Sequence, residues 1–175
     1  CLAKDTLVAT VMSNLGMELS LKARGIQLVK TGVGDRYVLE EMLASGYNFG
    51  GEQSGHLIFL DHNTTGDGML SGIQLLSVMK RRDKSLSDLA NAVEILPQVL
   101  VNAKVSDDRK FDYDKDEEIL SEIARLEAQM AGQGRVLIRT SGTEPLVRVM
   151  AEARSDELCH DYVYQIIDFI RDNQL

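Results

Sequence analysis

Two loops hold most of the residues in this 175-residue chain whose types and spacing could do chemistry. The first is RTSGTEP, Arg139 to Pro145, set between two short apolar runs. The planar guanidinium of Arg139 can grip a phosphate through two parallel hydrogen bonds. Thr140, Ser141 and Thr143 offer hydroxyl donors, and Gly142 lets successive backbone N–H groups converge on an anion. Arg148 follows on the second run, where alternation sets it on the face opposite Val147 and Val149, available as a second positive charge. A purely structural alternative stands beside this one. In it the hydroxyls satisfy their own hairpin backbone, Arg139 pairs with Glu144 or Glu152, and Arg148 pairs with Glu152.

The second loop is GGEQSGH, Gly50 to His56. Its glycines allow a sharp turn and close approach of backbone to a ligand. Glu52 accepts hydrogen bonds from hydroxyl groups, and Gln53, Ser54 and His56 add donors and acceptors beside it. This donor set suits a sugar. The alternative is a glycine-rich hairpin with solvated polar residues, His56 among them.

Two other stretches carry weaker signals. In KTGVGDRYV, Asp35 is placed to cap a helix starting at Arg36 and so to occupy the free N–H groups there; Arg36 could reach a cleft. In NTTGDGML, Asp67 stands between glycines, but one carboxylate does not make a magnesium site, and a turn with a helix N-cap is the expected role.

These loops need elements to hold them. Up to Glu94 the pattern alternates: TLVATVM as a strand, NLGMELSLKARG as a helix ended by Gly25, IQLVKT as a strand, then DRYVLEEMLASG as a helix ended by Gly46. HLIFLD adds a strand, and a longer helix follows with Met69, Ile73, Leu76 and Met79 as its apolar stripe. Alternating strands and helices predict a mixed βαβ sheet, at least partly parallel. A break at EILPQ starts a second domain. There Val99, Val101, Ala103 and Val105 alternate with Asn102 and Lys104, the period of a half-buried strand. A helix with Ile119, Ile123, Leu126 and Met130 follows, ended by Gly132; then comes the hairpin around RTSGTEP, and a last helix with Cys159, Val163, Ile166 and Ile170. The expectation is α/β followed by α+β: residues 1–96 as a mixed sheet with helices, and residues 97–175 as a small antiparallel sheet backed by two helices.

A net charge of -8 argues against a general nucleic-acid binder, which needs a basic surface. No apolar run is long enough to cross a bilayer as a helix, and no signal peptide is visible. Cys1 and Cys159 have neither zinc spacing nor a disulfide framework, which fits a reducing compartment and a cytoplasmic location. The chain opens on Cys1 with a strand pattern close behind, so a fragment of a longer protein is expected.

GGEQSGH and RTSGTEPLVRVMAE, with VGDRYVLEEM and NTTGDGMLSGIQLL, resemble the C-terminal half of the bacterial phosphoglucosamine mutases, within the alpha-D-phosphohexomutase superfamily. The resemblance runs over essentially the whole chain and implies the third of four domains without its first helix, then the complete fourth. It implies that Glu52 and Ser54 contact sugar hydroxyls with His56 close by, that Gln53 favours glucosamine phosphate, and that Arg139, Ser141, Gly142 and Thr143 hold the phosphate not being transferred. Thr140 departs from the proline common at that position. The phosphoserine and the aspartate-rich magnesium loop of the superfamily are absent here. The resemblance therefore places catalysis, magnesium and a glucose or glucosamine bisphosphate intermediate in the full-length enzyme, with the N-terminal domains as partners, a phosphosugar as ligand and UDP-N-acetylglucosamine synthesis as the purpose. Two alternatives remain: a stand-alone sugar-phosphate-binding module, and a phosphomannomutase or phosphoglucomutase relative.

Overall fold

A computed structural model describes residues 1–105, 116–141 and 145–172. The chain divides into two compact units, Cys1–Ile95 and Leu96–Leu175.

The first unit runs β1 (Thr6–Thr10), α1 (Leu15–Lys22), β2 (Gln27–Thr31), α2 (Asp35–Ser45), β3 (Phe49–Gly51), β4 (Leu57–Phe59), α3 (Gly68–Arg82) and α4 (Leu86–Ala90). Its sheet has the order β2-β1-β3-β4, with β1 parallel to both β2 and β3, and β4 antiparallel to β3. The helices begin and end where local chemistry directs. Asn14 caps α1 by accepting from the Gly16 N–H. Asp67 caps α3 by accepting from the Met69 and Leu70 N–H groups at 2.9 and 3.0 Å. Gly46 ends α2 in the left-handed conformation, where a Cβ would be strained.

One face of this sheet is closed by α2, whose Val38 and Met42 pack with Val8 of β1 and Ile58 of β4. The helix comes so close that a Cβ on Gly50 would lie 2.7 Å from Met42 Sδ and 2.8 Å from Val38 Cγ1. That accounts for a glycine inside a buried strand.

The apolar stripe expected on α3 is present but faces outward, with Met69, Ile73 and Leu76 exposed by 81, 64 and 63%. Ser71, Leu75 and Val78 of the helix line an open pocket together with Phe49, Leu57 and Phe59. Periodicity identified the helix, but none of its residues is buried.

The second unit runs β5 (Gln98–Lys104), α5 (Glu117–Gln129), β6 (Arg135–Thr140), β7 (Leu146–Glu152) and α6 (Asp156–Asp172). Its sheet is antiparallel, in the order β5-β7-β6. Ile119, Ile123 and Leu126 of α5 and Cys159, Val163, Ile166 and Ile170 of α6 bury against Val136 and Ile138 of β6 and Val147, Val149 and Ala151 of β7. The alternation along these strands leaves the opposite face, with Leu100, Asn102, Arg139 and Arg148, without helix cover from α5 or α6.

Candidate functional site

Parallel strands β1, β2 and β3 all end at one edge of their sheet, at Thr10, Thr31 and Gly51. Ligands of open α/β sheets bind outside the carboxyl ends of the strands. The GGEQSGH loop leaves β3 at that edge and returns as β4. It is closed by hydrogen bonds from Glu52 N–H to His56 O at 2.9 Å and from Gly55 N–H to Glu52 O at 3.0 Å. Gly55 has φ of +97°, and a Cβ on Gly51 would lie 2.6 Å from the His56 carbonyl oxygen. Both glycines are thus required by the backbone path.

The loop's side chains are held from separate elements. Glu52 Oε1 accepts from the Gly34 N–H at 3.0 Å, which ties the half-buried carboxylate to the start of α2. Gln53 Oε1 accepts from the Thr10 hydroxyl at 3.3 Å. Ser54 Oγ lies 3.4 Å from His56 Nδ1. Gln53, Ser54 and His56 are exposed, so this edge presents one anchored carboxylate and three accessible polar side chains.

The cap expected at Asp35 is corrected by this geometry. Gly34, with φ of +135° and no side chain to offer, occupies the N-cap position, and Asp35 is the first helical residue. Glu52 accepts from the N–H of this N-cap glycine, while the Tyr37 and Val38 N–H groups donate to the Gly34 carbonyl oxygen. Arg36 is committed to its own helix, pairing with Glu40 at 2.8 Å. The Glu40 hydrogen bond and charge raise its guanidinium pKa further above its usual value.

In the second unit the strand register decides how the arginines stand. Arg139 of β6 is directly opposite Arg148 of β7, and Arg148 is opposite Asn102 of β5. Like charges placed directly across a sheet repel. Among the described residues neither arginine has an ion pair. Glu152, offered by the structural alternative as a partner for either, is completely buried and binds Arg135 at 2.8 Å. It sits four residues beyond Arg148 on β7, about 13 Å along a strand, where the register sets it opposite Arg135. Thr140 pairs with Val147 and shares the helix-covered side with Ile138, away from Arg139. Ser141 is buried, its N–H donating to Leu146 O at 2.9 Å across the hairpin base. Gly142 and Thr143 lie outside the described residues.

Residues 2–95 match the model of phosphoglucomutase/phosphomannomutase, alpha/beta/alpha domain III, and residues 100–169 match that of the phosphoglucomutase/phosphomannomutase C-terminal domain. The chain belongs to this family. It is 59% identical to a phosphoglucosamine mutase of Limosilactobacillus reuteri and 57% identical to one of Geobacillus thermodenitrificans, each over 97% of the chain. It spans 37 and 38% of the length of those relatives. The fold is similar to that of the Aspergillus fumigatus N-acetylphosphoglucosamine mutase, with a TM-score of 0.77 at 20% identity, over 95% of this chain and 38% of the other. Another structure of that fungal enzyme, with a TM-score of 0.75 at 17% identity over 97% of this chain and 39% of the other, holds GlcNAc-6P and magnesium.

Among the described residues no three His, Cys, Asp or Glu side chains gather as a metal site. No helix of the described residues is long and apolar enough to cross a membrane.

Sequence reasoning missed Thr10 and Gly34, the residues that hold Gln53 and Glu52. Thr10 ends a strand run and Gly34 lies in KTGVGDRYV, read there only as the approach to a helix; the available signal was their position at strand and helix ends that converge in space.

Proposed function

We propose that this chain is the sugar- and phosphate-recognition portion of a phosphoglucosamine mutase, which interconverts glucosamine 6-phosphate and glucosamine 1-phosphate. The observation that carries the reading is 57 to 59% identity to phosphoglucosamine mutases across 97% of the chain. The site geometry supports it in two ways. Residues 1–95 anchor Glu52 and present Gln53, Ser54 and His56, a donor and acceptor set for sugar hydroxyls. The second unit sets Arg139 and Arg148 side by side, with Ser141 at the hairpin base, a charge arrangement that an anion would stabilise.

In the full-length enzyme a phosphoserine outside this chain would give its phosphoryl group to the sugar, form a bisphosphate and take back the other phosphoryl. Phosphoryl transfer relies on positioning and electrostatic stabilisation. The role of this chain is to hold the sugar ring through Glu52 and Ser54 in either of two orientations, and to hold the phosphate that is not reacting through Arg139, Ser141, Gly142 and Thr143. Magnesium would be bound by residues outside this chain. The product would serve UDP-N-acetylglucosamine and cell-wall synthesis in the cytoplasm, and the chain without its N-terminal partner domains would bind without turning over.

Titrating glucosamine 6-phosphate into isotope-labelled protein tests the assignment. Amide shifts are expected at Glu52 to His56 and at Arg139 to Thr143 and Arg148. Shifts confined to other surfaces would overturn it.

A further inference from the structure

We propose that Thr10 is a positioning residue that sets which end of the Gln53 side-chain amide faces the sugar, and so tunes substrate discrimination. The inference rests on the sugar-recognition reading of the GGEQSGH loop.

Thr10 is the last residue of β1 and is completely buried. A buried hydroxyl needs partners for both its hydrogen and its lone pairs. Thr10 Oγ1 accepts from the Met12 N–H at 3.4 Å and donates to Gln53 Oε1 at 3.3 Å. The second bond joins residues 43 apart in sequence and fastens an exposed, flexible side chain to the rigid end of a central strand.

The chemical consequence lies in the two unlike ends of an amide. Its oxygen only accepts and its NH2 only donates. With the Thr10 hydrogen directed at the oxygen, Gln53 turns its NH2 outward. The neighbouring Glu52 has Oε1 engaged by Gly34 and keeps its other carboxylate oxygen as an acceptor. The loop therefore offers a donor from Gln53 beside an acceptor from Glu52. A ring hydroxyl or amine is read by which of these it meets, and a protonated amine, which only donates, is directed to Glu52. Without the Thr10 hydroxyl the amide can turn over, present its oxygen and lose this ordering.

The test uses the full-length enzyme with Thr10→Val, Thr10→Ser and Gln53→Ala. The readout is the ratio of kcat/KM for the 2-amino hexose 6-phosphate to that for its 2-hydroxy counterpart. Loss of one neutral hydrogen bond should change this ratio about three- to tenfold in Thr10→Val, with the change in KM and kcat nearly constant. Thr10→Ser should restore the parent ratio. Gln53→Ala should change the ratio at least as far, and the double variant no further.

If Gln53→Ala leaves the ratio unchanged, the sugar-recognition reading itself fails. If Gln53→Ala changes it and Thr10→Val does not, or if Thr10→Ser fails to restore it, the positioning role is overturned while that reading stands. A measurement on unmutated protein covers the case in which Thr10→Val does not fold. The Gln53 side-chain NH2 should show the heteronuclear NOE of an ordered group, and the value of a freely rotating side chain would refute the proposal.

Discussion

The facing arginines give a prediction whose sign changes with the solution. Arg139 and Arg148 stand opposite each other, and the buried Glu152 is occupied by Arg135. In chloride buffer, Arg148→Gln removes a like-charge neighbour. The variant should therefore be as stable as the parent or more stable, by about 0.2 to 1 kcal/mol. With inorganic phosphate at a hundredfold excess over its Kd, the parent should gain about 2.7 kcal/mol. Removing one charged donor weakens an anion complex by about 1.5 to 3 kcal/mol, roughly a 10- to 100-fold rise in Kd. At the same phosphate concentration the variant's gain then falls to between about 1.4 and 0.4 kcal/mol. Urea denaturation of parent and variant, with and without phosphate and with ionic strength matched by chloride, measures both numbers. Equal stabilisation of the two proteins by phosphate would refute the reasoning. So would a variant clearly destabilised in chloride alone, because it would show that Arg148 is already paired.

Two further predictions concern packing. Gly51→Ala should destabilise the first unit by about 1 to 3 kcal/mol and weaken sugar-phosphate binding, since the added Cβ would lie 2.6 Å from a backbone oxygen, that of His56. Unchanged urea unfolding and unchanged titration shifts at Glu52 to His56 would contradict the loop geometry. Cys159 is completely buried, donates to the Pro97 carbonyl oxygen at 3.3 Å, and has its thiol pKa pushed up by burial. Thiolate is the reactive form, so near neutral pH a thiol reagent should label exposed Cys1 and reach Cys159 only on unfolding. Equal labelling rates in the native protein would show that α6 does not pack as described.

Much of the architecture was legible because burial imposes its period on the chain. Ile119, Ile123 and Leu126 at spacings of four and three, and the alternation of Val99 to Ala103, could satisfy only a one-sided helix and a half-buried strand. Gly25 and Gly46 marked helix ends because both take positive φ, where other residues are strained. The same local logic misplaced the α2 cap, since Asp35 fits the preference for a capping carboxylate, whereas the helix starts one residue earlier, with Gly34 at the N-cap and Asp35 inside the first turn. It also could not tell whether the α3 stripe of Met69, Ile73 and Leu76 faced a sheet or solvent, because periodicity describes a helix and not its neighbour.

By itself the sequence determined which residues could recognise a sugar and a phosphate, since the donor set of GGEQSGH and the arginine and hydroxyls of RTSGTEP are local chemistry. Tertiary structure decided which of them are held and which are free. Register across β6 and β7 set Arg139 against Arg148 and gave Glu152 to Arg135. The shared carboxyl edge of β1, β2 and β3 brought Thr10 and Gly34 to Gln53 and Glu52. Those pairings join residues 43 and 18 positions apart, and no local pattern encodes a hydrogen bond across such distances. It arises only when the strands pair and their ends converge.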